Sequence, residues 1–154
     1  MKLHLVCVGR LRKGPEKMMV EDYLDRFAKA GRGLGLPPVT VTELDAKGAG
    51  MIAEGELIAR AIPPGAAMAI LDERGRRITS PDFAAHLGDW RDQARDVALV
   101  IGGADGIAPD LRDRADLAIS FGAMVWPHML VRVMVAEQLY RAASILAGSP
   151  YHRV

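Results

Sequence analysis

The 154-residue chain has a single cysteine, Cys7, which excludes an intrachain disulfide and a cysteine-built metal centre. Aromatic residues are only 5% of the total, so aliphatic side chains and eight methionines must fill the core. Charge of one sign is missing too: 20 basic residues against 19 acidic give a net charge of +1. No chain-wide excess of positive charge is available to grip a nucleic-acid backbone, and DNA is not an expected partner. No apolar run reaches the roughly 18–20 residues of a membrane span. Residues 129–147 come nearest, and Arg132, Glu137 and Arg141 interrupt them. The opening "MKLHLVCVGRLRKG" has too short an apolar stretch for a secretory signal and reads as a first strand. A soluble cytoplasmic protein with one domain over residues 1–154 is the expectation, without membrane or metal.

Half of the residues are hydrophobic, and their spacing alternates between two periods. Residues 2–8, 39–44, 67–72, 97–102 and 116–121 read as strands, short and rich in Val, Ile, Leu and Ala. Between them lie helical patterns. One opens at Pro15 with Val20, Tyr23, Leu24 and Phe27 on one face, and a second covers residues 50–62, weakened by Gly55. A third starts at Ser80-Pro81, a capping hydroxyl before a proline at the first helical position, and turns Phe83, Leu87 and Trp90 inward. A short helix covers Pro109–Ala115, and the last runs from His128 to Ala147. Strands this apolar, alternating with helices, predict an α/β fold: a mainly parallel sheet with helices on both faces. The last helix is apolar nearly all round, so burial on more than one side is expected, with a second copy of the chain covering what the sheet does not.

The loop "IGGADG" (101–106) follows the most apolar strand, at the end where open α/β sheets bind ligands. It fits neither phosphate template. A P-loop needs Lys after its last glycine, and the dinucleotide fingerprint needs glycine at position 101, which is Ile101. Asp105 would also repel a pyrophosphate. Gly102 and Gly103 instead allow close backbone approach, and "SFGAMVWPH" (120–128) forms a second small, apolar loop after the next strand. With Leu71 closing a third side, the loops outline a slot for a flat heteroaromatic ring without phosphate, such as adenine.

Four motifs in order, "LDERG" (71–75), "IGGADG" (101–106), "WPHMLVRVMVAEQLYRA" (126–142) and the terminal "PYHR" (150–153), resemble the ribosomal RNA large subunit methyltransferase H family. The similarity spans the whole chain. It implies a SPOUT-type fold with a C-terminal trefoil knot, S-adenosyl-L-methionine as methyl donor, and a homodimer. The implied activity is methylation of N3 of a pseudouridine in 23S rRNA of the large ribosomal subunit. Carried over by position, the resemblance assigns Leu71, Gly102, Gly103, Gly122, Ala123, Met124, Val125, Trp126 and Pro127 to the cofactor. Trp126 departs from the smaller aliphatic residue usual there, and residues 48–66 are only loosely similar.

Pseudouridine N3 is an imide nitrogen, mostly protonated at neutral pH, so transfer needs a base or a polarising cation. His128, Arg141, Tyr151 and His152 are the candidate catalytic residues. Arg132, Arg153, Arg10 and Lys13 are the candidate RNA contacts, an arginine fork or a lysine being suited to phosphate. Glu137 and Arg141 stand four apart on the last helix and can pair, which makes Glu137 a structural ion-pair partner at the dimer seam rather than a catalyst. The tail "SPYHRV" combines a ring that can stack, an imidazole and a phosphate binder, a set suited to single-stranded RNA. Two other readings remain open from residues alone: a non-catalytic ribosome- or RNA-binding module of the same fold, and an ordinary nucleotide-binding α/β enzyme.

Overall fold

A sheet whose inner strands alternate side chains between two apolar environments fixes the architecture, seen here in a computed structural model that describes residues 1–46 and 48–153. The strands are β1 (Leu3–Val8), β2 (Val39–Leu44), β3 (Ala67–Arg76), β4 (Val97–Ile101) and β5 (Leu117–Ile119). The helices between and after them are α1 (Pro15–Gly31), α2 (Met51–Ala61), α3 (Ser80–Asp92), α4 (Pro109–Arg114) and α5 (His128–Leu146). The sheet order is β2-β1-β4-β3-β5, and every pairing is parallel. The expected α/β fold is therefore present.

Period-two alternation sends Leu3, Leu5, Cys7, Val97, Leu99 and Ile101 to one face, where Phe27, Phe83, Leu87 and Leu139 of α1, α3 and α5 complete the larger core. Val6, Val8, Ile70 and Val100 point to the other face, against Ile58 of α2 and Leu111 of α4. Each fully buried aliphatic side chain stabilises by about 1.5–3 kcal/mol. A strand buried on both faces therefore has little use for polar residues.

Three elements differ from the sequence expectation. β3 continues to Arg76 instead of ending at residue 72, with an irregularity between Leu71 and Arg76 where both meet Ile119. Residues 72–75 form the excursion, and it stays tight because Gly75 has no side chain: a Cβ there would lie 2.6 Å from the Ala118 carbonyl carbon. The cap of α3 is Thr79 and not Ser80; its hydroxyl accepts from the Asp82 N–H at 3.1 Å while Asp82 accepts from the Thr79 N–H. Ser80 instead donates to Gln138 at 2.7 Å, tying α3 to α5.

α5 also differs in what covers it. It lies between α1 and α3, and two arcs are buried within the chain, Val135, Leu139, Ala142 and Ala143 on one and Val133 and Ala136 on the other. Much of the circumference expected to face a second subunit is thus satisfied internally. What remains apolar and exposed is its first turn, Met129 and Leu130, continuous with Met124, Val125 and Trp126 of the preceding loop.

Candidate active site

Parallel strands in register end in a row, and here Ile101, Leu71 and Ile119 stand side by side across β4, β3 and β5. All three line a cavity of about 580 Å³ at the carboxyl edge of the sheet, a volume ordinary for a small-molecule site. Its rim comes from the excursion within β3, with Asp72, Glu73 and Arg74, and from two loops: Gly102 to Ile107 after β4, and Phe121, Gly122, Met124, Val125 and Trp126 after β5. His128 and Val131 of α5, Arg112 of α4 and Met51 of α2 complete it. Of the nine residues assigned to the cofactor, seven line this one cavity; Ala123 and Pro127 lie within the same loop without lining it.

The glycines of "IGGADG" have a different physical reason from the one expected. A Cβ on Gly102 would lie 2.8 Å from the Gly106 carbonyl oxygen and 2.8 Å from Ile107 Cδ1. A Cβ on Gly103 would lie 2.9 and 3.0 Å from the Glu54 carboxylate oxygens. The bare backbone is required first by the protein's own atoms, which fold the loop back on itself through the Gly106 N–H to Gly103 carbonyl bond at 3.0 Å. Gly106 and Gly122 both have left-handed φ angles, +85° and +115°, which favour glycine there.

Charge around the slot is mixed. Asp72 pairs with Arg112 at 3.3 Å, and Glu73, Arg74 and Asp105 stand on the rim. Leu71, Ile101, Ile107, Ile119 and Phe121 give the inside apolar walls. A ligand with an uncharged ring and a zwitterionic end suits such a cavity, and a polyphosphate does not.

The candidate catalytic residues fall into two groups. His128 stands at the slot, with Nδ1 enclosed and without a hydrogen-bond partner. Arg141, Tyr151 and His152 sit together near the far end of α5. Arg141 donates to Glu137 Oε1 through Nη2 at 2.7 Å and through Nε at 3.0 Å, and the Tyr151 hydroxyl donates to the same oxygen at 2.9 Å. Arg141 Nη1 lies 3.2 Å from His152 Nδ1. Since arginine only donates, His152 Nδ1 is the acceptor and its ring hydrogen is on Nε2. The Arg141 guanidinium lies 4.8 Å from the Tyr151 ring centre, and Tyr140 packs 4.6 Å from the same ring.

These contacts divide the roles. Burial, followed by the hydrogen bond to Glu137, pushes the Tyr151 hydroxyl up to about 12, so it keeps its proton and is no base. The Glu137 hydrogen bond raises Arg141 above the ordinary arginine value. Glu137 is the structural ion-pair partner that the spacing predicts. His152 keeps a ring N–H free to donate.

Arg132 requires a correction. It is 1% exposed, donates to Glu43 at 2.6 Å and to the Val8 and Gly9 carbonyls at 3.2 and 2.8 Å, and so cannot serve as an RNA phosphate contact. Burial works to raise Glu43, but the Leu11 N–H and the Arg132 guanidinium outweigh it and hold the carboxyl below its ordinary value. The pair clamps the start of α5 to the end of β1, just before the exposed Arg10, Arg12 and Lys13. Arg10, Lys13 and Arg153 are exposed, as RNA contacts must be. Glu54, against the glycine loop, was not singled out in the sequence; nothing local in it marks a helical glutamate as buried.

The parallel α/β sheet with a ligand slot at its carboxyl edge is that of a SPOUT-class methyltransferase, since a family model described as "Predicted SPOUT methyltransferase" matches residues 1–152. More narrowly, the chain belongs to the ribosomal RNA large subunit methyltransferase H family. The relative of that name from Cereibacter sphaeroides (strain ATCC 17023) is 72% identical over 155 residues, covering 100% of both chains. Those from Paracoccus denitrificans and Ruegeria pomeroyi are 69% and 64% identical, over 99% and 100% of both chains. Among solved structures, the SpoU methyltransferase AviRb from Streptomyces viridochromogenes in complex with AdoMet overlays at a TM-score of 0.43 and 16% identity. That overlay covers 91% of this chain and 57% of the other, and nothing below rests on it.

Proposed function

We propose that the protein transfers a methyl group from S-adenosyl-L-methionine to N3 of a pseudouridine in 23S rRNA of the large ribosomal subunit, acting as a homodimer in the cytoplasm. Membership of the family supports the reaction, and the slot supports the donor. Bound there, the donor supplies a methyl group on a positively charged sulfur. Leu71, Ile101 and Ile119 give its ring an apolar floor, and the loops 102–107 and 121–126 wall it in. Holding nucleophile and methyl in line is the chain's main contribution, since orientation alone can supply several kcal/mol. A C-terminal trefoil knot belongs to the same reading; its support is that β5 lies against the 72–76 excursion, with the Ser120 N–H donating to the Arg76 carbonyl at 2.9 Å.

The observation that carries the dimer is a distance. His128 begins α5 and Arg141 stands thirteen residues on, so slot and tail cluster are about 20 Å apart along one helix. No group of that tail can reach the slot of its own chain while it is held by Glu137 and Arg141. A second copy, packed on the apolar turn of Met124, Val125, Trp126, Met129 and Leu130, brings its tail over the slot instead. The His152 N–H then faces a pyrimidine carbonyl, Arg141 polarises the base so that N3 releases its proton more easily, and His128 is the imidazole within the slot. Arg10, Lys13 and Arg153 take RNA phosphates. A looped or splayed nucleotide is required, because N3 of a paired base is covered.

The test is mass spectrometry of large-subunit rRNA from cells that lack the gene and then regain it. One methylpseudouridine should vanish and return. A gene encoding the chain without residues 150–154 should fail to restore it, although the purified protein still dimerises and binds the donor. Restoration by the truncated gene contradicts the role of the tail. Unchanged rRNA in the deletion strain contradicts the substrate.

A further inference from the structure

Glu54 occupies an unusual place for a carboxylate. It is 8% exposed, its Oε1 is fully enclosed with no hydrogen-bond partner, and among the described residues no cation pairs with it. A charge so placed costs several kcal/mol unless something compensates it. α2 brings it there deliberately close: Gly55 has no side chain, and a Cβ on it would already lie 3.0 Å from Ala108. Met51, one turn earlier on the same face, lines the cavity. The carboxylate oxygens stand 2.9 and 3.0 Å from where a side chain on Gly103 would begin, and Gly103 itself lines the cavity. Gly103 thus touches the carboxylate on one side and the slot on the other.

We propose that Glu54 is a specificity-determining residue of the donor site, selecting the positively charged sulfonium of the methyl donor over the neutral thioether left after transfer. It does so without touching the ligand, as a buried negative pole behind Gly103. Charges act strongly across such a low-dielectric layer, and the acidic groups on the rim are screened by water or paired with arginine. The consequence is directional. Donor is held, product is released, and the fold's unpaired carboxylate is compensated only while the cation is in place. The inference rests on the donor reading above.

Calorimetry with the full chain tests it, using S-adenosylmethionine and S-adenosylhomocysteine as paired ligands. Glu54→Gln keeps the shape and removes the charge. It should weaken S-adenosylmethionine binding about tenfold and leave S-adenosylhomocysteine within about twofold, a change in ratio that lost packing cannot produce. Equal weakening of both ligands, or of neither, overturns the proposal. If Glu54→Gln melts before it can be titrated, Glu54→Asp decides. It must keep the preference for the charged ligand even where both bind less tightly, and loss of that preference overturns the proposal. A wild-type chain that binds neither ligand refutes the donor reading itself, a different result from either of these.

Discussion

Arg132 and Glu43 show how an ion pair with one buried partner fixes the geometry around a site it never touches. The guanidinium sits where α5 meets the ends of β1 and β2, and it holds Val8, Gly9 and, through Glu43, the Leu11 N–H. Removing Glu43 leaves a buried cation without its counter-charge, which in a fully enclosed pair costs 3–5 kcal/mol. Glu43 keeps 32% of its side chain in water, so Glu43→Gln should cost about 1–2 kcal/mol near neutral pH, read from urea unfolding. The pH dependence follows from the depressed carboxyl. Its contribution is complete above the ordinary value of 4.5 and is lost as pH falls through the lower folded value. Wild type and Glu43→Gln should therefore converge in stability in acid. A gap that stays constant below pH 4 would mean that the carboxylate charge is not what stabilises the clamp. Cys7, beside this pair, is pushed up to about 12 chiefly by burial and is an inert core thiol at neutral pH.

At the scale of elements, the segment between β3 and α3 carries the most information per residue. Thr79 and Asp82 bond each other's backbone in a capping box, and Asp82 is held below its ordinary value by the Thr79 hydroxyl and N–H. Thr79→Ala should cost about 1 kcal/mol in a thermal or urea melt. Ser80→Ala removes only the bond to Gln138 and should cost less; the reverse ranking would restore Ser80 as the cap. The two hydroxyls are adjacent in sequence, and nothing local says which leaves the extended region first. The limits of reading the rest are similarly physical. Strands such as "VALVI" are legible because both faces are buried, so composition and period agree. The end of β3 is not, because residues 73–76 read as a polar loop while Arg76 still pairs with β5 at Ile119. The slot is legible in outline because two of its loops follow recognisable strands; seven of its lining residues come from the family resemblance. Arg132 was not, since its partner lies 89 residues away and a basic residue on a helix looks solvated. Glu54 was hidden in the same way, by a contact with a glycine that only the fold creates.

For the whole molecule, the proposed homodimer would make one site from two half-sites. Each chain carries a slot at the start of α5 and a polar cluster near its end, and the exposed apolar turn of Met124, Val125, Trp126, Met129 and Leu130 lies beside the slot. An interface that is the same patch on both subunits pairs the two helices about a twofold axis. In the homodimer we propose, the tail of each would then approach the slot of the other. Mixed dimers separate this arrangement from any site built within one chain. A subunit lacking residues 150–154 is combined by co-expression with a full-length His128→Asn subunit, each homodimer having first been assayed and expected to be inactive. If tail and slot meet across the interface, the mixed dimer pairs the intact slot of the first with the intact tail of the second, and one of its two sites works. Random assembly makes half of all dimers mixed, so the preparation should recover about a quarter of wild-type activity. If tail and slot belong to the same chain, no dimer contains a complete site and the mixture stays inactive. Methyl incorporation into large-subunit particles from the deletion strain gives the readout. Since the two outcomes differ by the whole signal, a modest loss of stability in either variant cannot be mistaken for the answer.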